Sequence, residues 1–183
     1  MKRGWIVGVT VLLAVALASA PATVFAADNA ANDKIGAGKS NNAFLYLYEK
    51  DADYNFVWDG AWGKLKYKQA GPTFDFNFNG HHLVPGEDYT LIYFPDYEGN
   101  PWPREGIRCF ANATANEEGN VHLRGSVNLE SDLPMEGDIN DGAKIWLVLS
   151  SDIDCDTCTM SGWNNTEYLF EHHFITYTDT DAP

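Results

Sequence analysis

The sequence predicts an all-β fold, an antiparallel β-sandwich of about eight strands. Three observations predict it. From Ala43 onward, apolar residues recur at every second position in short runs. The cleanest is "TFDFNFNG" (73–80), with Phe74, Phe76 and Phe78 on one side and Asp75 and Asn77 on the other. Gly, Pro, Asn and Asp punctuate these runs, as turns punctuate strands. No stretch of this region sustains the 3.6-residue spacing of an amphipathic helix.

The segments follow in order. Lys2 and Arg3 precede an uncharged apolar run, "IVGVTVLLAVALASA" (6–20), and "TVFA" supplies small residues before a cut after Ala26. Residues 1–26 therefore read as a signal peptide. Pro21 and the cleavage site favour removal of the run over its retention as a membrane anchor. No cysteine follows to carry a lipid. Residues 27–42 are small and polar and read as a flexible linker. "AFLYLYEK" (43–50) suits a strand by its aromatic and aliphatic content. "GKLKYKQ" (63–69) sets Lys64, Lys66 and Lys68 outward and Leu65 and Tyr67 inward, a lysine row that suits an edge strand. "TFDFNFNG" ends in Asn-Gly, a tight-turn signal. "DYTLIYFPD" (88–96) is apolar on both faces and is placed centrally.

"GIRCFANATA" (106–115) puts Ile107, Cys109, Ala111 and Ala113 on one side. "VHLRGSVNL" (121–129) does the same with Val121, Leu123, Val127 and Leu129, and with "NEEGN" between them the two runs read as a hairpin. "LPMEG" (133–137) reads as a loop, "AKIWLVLSS" (143–151) as a buried strand and "EYLFEHHFITYT" (167–178) as a long last strand. The sandwich domain is thus 43–178, with 179–183 as a tail. Alternation gives the expected core: the three phenylalanines above with Tyr89, Leu91, Tyr93, Leu123, Val127, Ile145, Leu147 and Leu149.

The arrangement resembles the immunoglobulin-like and jelly-roll modules common in prokaryotic secreted and surface proteins. The passages that carry the resemblance are "LVPGEDYTLIYFPD", "GNVHLRGSVNL" and "DGAKIWLVLSSDIDC", and in particular G-x-x-L-x-P-G-x-x-Y-T-L over 80–91. It is architectural, spans most of residues 43–178 and implies no catalytic residues, because such folds host many functions.

Composition narrows the function classes. The chain holds 26 acidic residues against 12 Lys and Arg, a formal net charge of −14. Removing residues 1–26 takes two basic residues and no acid, so the mature chain is more acidic still. That balance argues against a nucleic-acid ligand and against anionic membranes, both of which call for basic patches. It suits solubility outside a cell, high salt or cation binding. Aromatics at 14% supply ample core, so the acidity is not a sign of disorder.

The stretch "SSDIDCDTCTMSGW" (150–163) concentrates the candidate chemistry. Asp152, Asp154 and Asp156 match positions 1, 3 and 5 of a helix-flanked calcium loop, but Thr157 replaces the turn glycine and Trp163 the closing glutamate. A looser calcium site in a sandwich loop remains open, with "GDINDG" (137–142) and "DADYN" (51–55) as similar loops. The alternative is a set of turns whose Asp and Asn side chains bond the local backbone. Cys155-x-x-Cys158 lacks the following helix of a redox centre and the second half of a zinc site. In an oxidising compartment three cysteines pair and leave one. Cys109 faces inward and Cys155 follows a buried strand, so the expected disulfide is Cys109–Cys155, with Cys158 left over.

His81, His82, His122, His172 and His173 include no His-x-His pair and no HExxH. A converging site of His82, His122 and one of the late pair is weighed against hydrogen-bonded surface histidines. No GxSxG surrounds Ser126 or Ser161. Trp58, Trp62, Trp102 and Trp163 fall in turn-like contexts near Asp, Asn and Glu, where tryptophans either stack on a sugar or plug the ends of the sandwich. Trp146 reads as packing. Asn112 ("NAT") and Asn164 ("NNT") are glycosylation acceptors in a host that modifies secreted proteins, with Asn112 on the face opposite Cys109. The reading is a secreted or cell-surface, non-catalytic interaction or structural module whose partner is an extracellular protein or glycan. It needs no cofactor, with calcium as the one candidate. Its rivals are a carbohydrate-binding module and a metalloprotein or hydrolase.

Overall fold

The period-two runs become strands in the computed structural model, which describes residues 40–182. In chain order they are β1 (Asn42–Glu49), β2 (Trp62–Lys68), β3 (Ala70–Gly71), β4 (Phe74–His81), β5 (Asp88–Phe94), β6 (Arg104–Glu105), β7 (Arg108–Thr114), β8 (Val121–Val127), β9 (Lys144–Leu149), β10 (Ile153–Asp154), β11 (Thr159–Met160), β12 (Leu169–Glu171) and β13 (Thr178–Asp179). The segment expected to be a signal peptide, 1–26, and residues 27–39 of the expected linker lie outside the described residues. So does Pro183.

Eight strands form one antiparallel sheet in the order β7-β5-β9-β12-β1-β2-β4-β8. It curls over on itself into a sandwich that is nearly a barrel, with β7-β5-β9-β12 facing β1-β2-β4-β8. Inside, Phe110 of β7 packs on Phe74 and Phe76 of β4, with ring centroids at 5.0 and 5.9 Å. Every expected core residue is buried except Val127, which is partly buried against the core. Close approach explains two glycines. Gly63 and Gly80 sit opposite each other on β2 and β4, and a Cβ at Gly63 would lie 2.3 Å from the Phe78 ring. Side chains there would displace that ring from the core.

Several expectations are corrected. Asn79-Gly80 makes no turn, because β4 runs on to His81 and Gly80 pairs with Val121. The lysine-bearing strand β2 is interior, between β1 and β4. Its lysines protect no edge; they cover the solvent face of the sheet, with the Lys64 ammonium over the rings of Phe44 and Tyr46. The segments 106–115 and 121–129 are joined by a tight turn but form no hairpin ladder. β7 pairs with β5 and β8 with β4, so the two are the edges of the curled sheet.

A bulge breaks the register of β7, so that Leu91 opposes Ala111 while Ile92 opposes Cys109. The extra residue, Phe110, turns into the core, and Cys109 lands on the opposite face from Ala111 and Ala113. Asn112, opposite Thr90, therefore shares the face of Cys109, contrary to expectation. The last strand is also broken. β12 ends at Glu171, residues 172–174 bend away, and Ile175 and Tyr177 bridge to Ala143 and Leu133. At the ends, Asn41 hydrogen-bonds Ala70 in both directions. Asp179 is buried in β13 beside Gly71. The folded body thus takes in residues assigned to the linker and the tail.

Candidate functional site

The outer face of β5 and β9 carries the best-formed site. Phe94 ends β5 and Trp146 lies on β9, and their rings stack at 4.0 Å with an interplanar angle of 19°. Trp163 stands edge-on to Trp146 at 5.9 Å, and Trp102 edge-on to Trp163 at the same distance. These four rings, with Asp96, Arg104 and Lys144, line a cleft of about 560 Å³. Trp102 and Trp163 stay 47% and 40% exposed, so they form walls rather than core.

A small sheet brings those two tryptophans together. β11 pairs with β10 on one side and with β6 on the other, in the register Met160↔Arg104. This joins the loop after Trp102 to the loop before Trp163. The Cys109–Cys155 disulfide, with Cα atoms 5.8 Å apart, ties the same loop to β7.

Asp152 fixes the other end. It is buried and accepts hydrogen bonds from the Asn164 amide, at 2.8 and 3.1 Å, and from the Tyr168 hydroxyl. Its backbone carbonyl accepts the N–H groups of Ser161 and Gly162. A Cβ on Gly162 would fall 1.9 Å from an Asp152 carboxylate oxygen, so only glycine fits. Burial and the Asp152 bond push the Tyr168 phenol up from its ordinary range.

The polar end of the cleft is an ion cluster. Asp96 accepts from Lys144 and from the Asn140 amide at 3.3 Å, and Arg104 stands 3.6 Å away. Burial works against ionisation of Asp96, but the Lys144 hydrogen bond and charge outweigh it and hold the carboxyl below its usual range. Arg104 also lies over the Phe94 ring at 5.8 Å. Behind the floor, the Trp146 indole N–H donates to Glu171, whose carboxyl burial pushes up to about 7.

Of the four tryptophans singled out from sequence, the fold unites only Trp102 and Trp163. Trp58 belongs to a separate cluster with Tyr48, Phe56 and His172. Trp62 is the first residue of β2, not a turn residue, and packs on His81. Trp146, read as packing alone, is also the floor of the cleft. The aspartates do not converge. Asp152 is buried and held by Asn164 and Tyr168 rather than by local backbone, while Asp154 accepts the backbone N–H groups of Asp156 and Thr157 in a local turn. Asp51 and Asp138 likewise cap their own loops. Among the described residues no group of three or more His, Cys, Asp or Glu is arranged to hold a metal ion. The histidines also stay apart, with His81 on Asn120, His82 on the Gly60 carbonyl and His122 on Asn79. Asn112 is exposed on β7, and the Asn164 side chain is engaged by Asp152. Cys158 is free and partly exposed.

The polar residues of the cleft were not singled out from sequence. One signal pointed to them: β5 is apolar on both faces, so its outer face had to be covered. The chain matches no protein-family model, no curated protein and no solved structure.

Proposed function

We propose that this chain is a secreted or surface-associated, non-catalytic sandwich module that takes a glycan in the tryptophan cleft. The observation that carries the reading is the convergence of Phe94, Trp102, Trp146 and Trp163 around one concavity with Asp96, Arg104 and Lys144 at its end. Flat aromatic rings accept the C–H faces of a sugar, and a few convergent polar groups give orientation through its hydroxyls. Among the described residues Asp96 is the one carboxylate lining this cleft, and it is ion-paired with Lys144. Glycoside hydrolysis takes two carboxyl groups flanking the bond, which supports binding over cleavage. The Cys109–Cys155 disulfide supports an oxidising compartment, as the signal-like N-terminus does.

The test is a glycan array followed by calorimetry on a ligand it identifies. Trp102→Ala and Trp163→Ala are expected to weaken binding at least about tenfold, the loss of one buried aromatic contact. Trp58→Ala and Trp62→Ala lie elsewhere and are expected to bind as wild type. An array without ligands, or cleft variants that bind unchanged, would overturn the reading.

A further inference from the structure

We propose a second binding surface on the opposite half of the sandwich, the outer face of β1-β2-β4-β8, and assign it to an acidic polysaccharide. The register lays out this face directly. Phe44, Lys66, Asn77 and Arg124 form one row across the four strands, and Tyr46, Lys64, Asn79 and His122 form the next. Lys68 and Asp75 stand in the row beyond. Residues two apart on a strand lie about 7 Å from each other, and Arg124 lies two strand spacings, about 10 Å, across from Lys66.

Charge is segregated here. The chain as a whole is strongly acidic, at −14, yet this face gathers Lys64, Lys66, Lys68 and Arg124 with Asp75 as the only acid in those rows. Asp75 is taken by Lys68 at 2.5 Å. Among the described residues, Lys64, Lys66 and Arg124 form no ion pair. Cations two residues or two strands apart, on the outer face of the sheet, match a linear polymer that carries a charge at each sugar or every second one. Beside them Phe44 and Tyr46 are exposed, and the Asn77 amide N–H groups face outward, while Asn79 is held between Asn77 and His122. A basic strip with neighbouring aromatics also serves single-stranded nucleic acids. The disulfide-favouring compartment, where polysaccharides rather than nucleic acids are the common polyanions, favours the polysaccharide. This face shares no residue with the tryptophan cleft, so the two sites stand or fall separately.

The experiment uses the full chain and three probes: polygalacturonate, dextran sulfate, and neutral dextran of matched length. At low salt the two acidic polymers are expected to bind and the neutral one to bind at least tenfold more weakly. Binding to the acidic polymers is expected to fall about tenfold between about 50 and 300 mM salt, since the charges are exposed. The triple variant Lys64→Gln, Lys66→Gln, Arg124→Gln is expected to lose at least tenfold. Its side chains point to solvent, and a cooperative thermal transition with an unchanged far-ultraviolet spectrum will confirm that it folds. The double variant Phe44→Ser, Tyr46→Ser is expected to weaken binding severalfold, and Trp102→Ala to leave it unchanged. Failure of both acidic polymers to bind, equal binding by the triple variant, or tighter binding of poly(dT) than of either polymer would overturn the proposal.

Discussion

Glu171 joins the cleft to pH. Its carboxyl is largely buried beneath Trp146 and accepts the indole N–H, and burial raises its pKa from 4.5 to about 7. A carboxyl with a raised folded-state pKa contributes stability that is fully present below the unfolded value and is lost as pH rises through the folded one. The window is therefore about pH 4.5 to 7, and the loss across it is at most about 3 kcal/mol. His173, lowered by burial and by the neighbouring His172, acts in the opposite sense over part of that range. The informative comparison is thus between wild type and Glu171→Gln, which keeps an acceptor for the indole. Thermal midpoints measured from about pH 5 to pH 8 are expected to fall more steeply in the wild type. Parallel profiles would mean that Glu171 does not carry this dependence. Little of this was legible in the sequence, where Glu171 is one charged residue in a segment, 167–178, that reads as a long last strand. Its register sets it opposite Leu47 of β1, a fully buried residue, and such a pairing of distant strands is not a property of local spacing.

At the level of strands and loops, alternation was a good guide to which residues face the core and a poor one to which strands are neighbours. Phe74, Phe76 and Phe78 were legible because period two is a local property of the pleat. The splaying of β7 from β8 was not, because a short turn between two amphipathic runs looks the same whether or not they pair. The bulge at Phe110 was hidden for a related reason: one inserted residue leaves the composition of β7 unchanged while reversing the faces beyond it. The Cys109–Cys155 pairing was expected on the premise that Cys109 faces inward. The bond is present, but it forms on the outer face, where the loop bearing Trp163 lies over β5 and β7. Its two cysteines are 46 apart in sequence. In the chain-entropy model such a link contributes roughly 4 kcal/mol. Cys109→Ser and Cys155→Ser are each expected to lose about that much in denaturant unfolding. They are also expected to weaken the cleft, since the small sheet β10-β11-β6 that positions Trp102 and Trp163 is tied to β7 at that point. A loss below about 1 kcal/mol with intact binding would show that the sheet holds the loop alone.

Across the whole molecule the acidic balance has a consequence for stability. The chain carries 26 acids, yet the ion pairs among the described residues engage only two of them, Asp75 with Lys68 and Asp96 with Lys144 and Arg104. Several others are held by hydrogen bonds to neighbouring backbone, as at Asp51, Asp138 and Asp154. Those bonds satisfy the carboxylates but leave their charge in place. A folded body concentrates that charge and the unfolded chain disperses it, so self-repulsion opposes folding. Salt screens the repulsion, with a Debye length of about 10 Å at 0.1 M and 3 Å at 1 M. Salt also weakens the exposed Lys68–Asp75 pair, but surface pairs contribute at most about 1 kcal/mol each. The many unpaired acids outweigh the few pairs, and the thermal midpoint is expected to rise with sodium chloride from about 20 mM to about 0.5 M. Lys64, Lys66 and Arg124 are the local exception, since their patch, though its members repel one another, attracts the acidic charge of the rest of the molecule. Replacing all three with glutamine removes that attraction and is expected to steepen the rise. A midpoint that is flat or falls with salt would show that specific ion pairs, and not net charge, dominate the electrostatics of this fold.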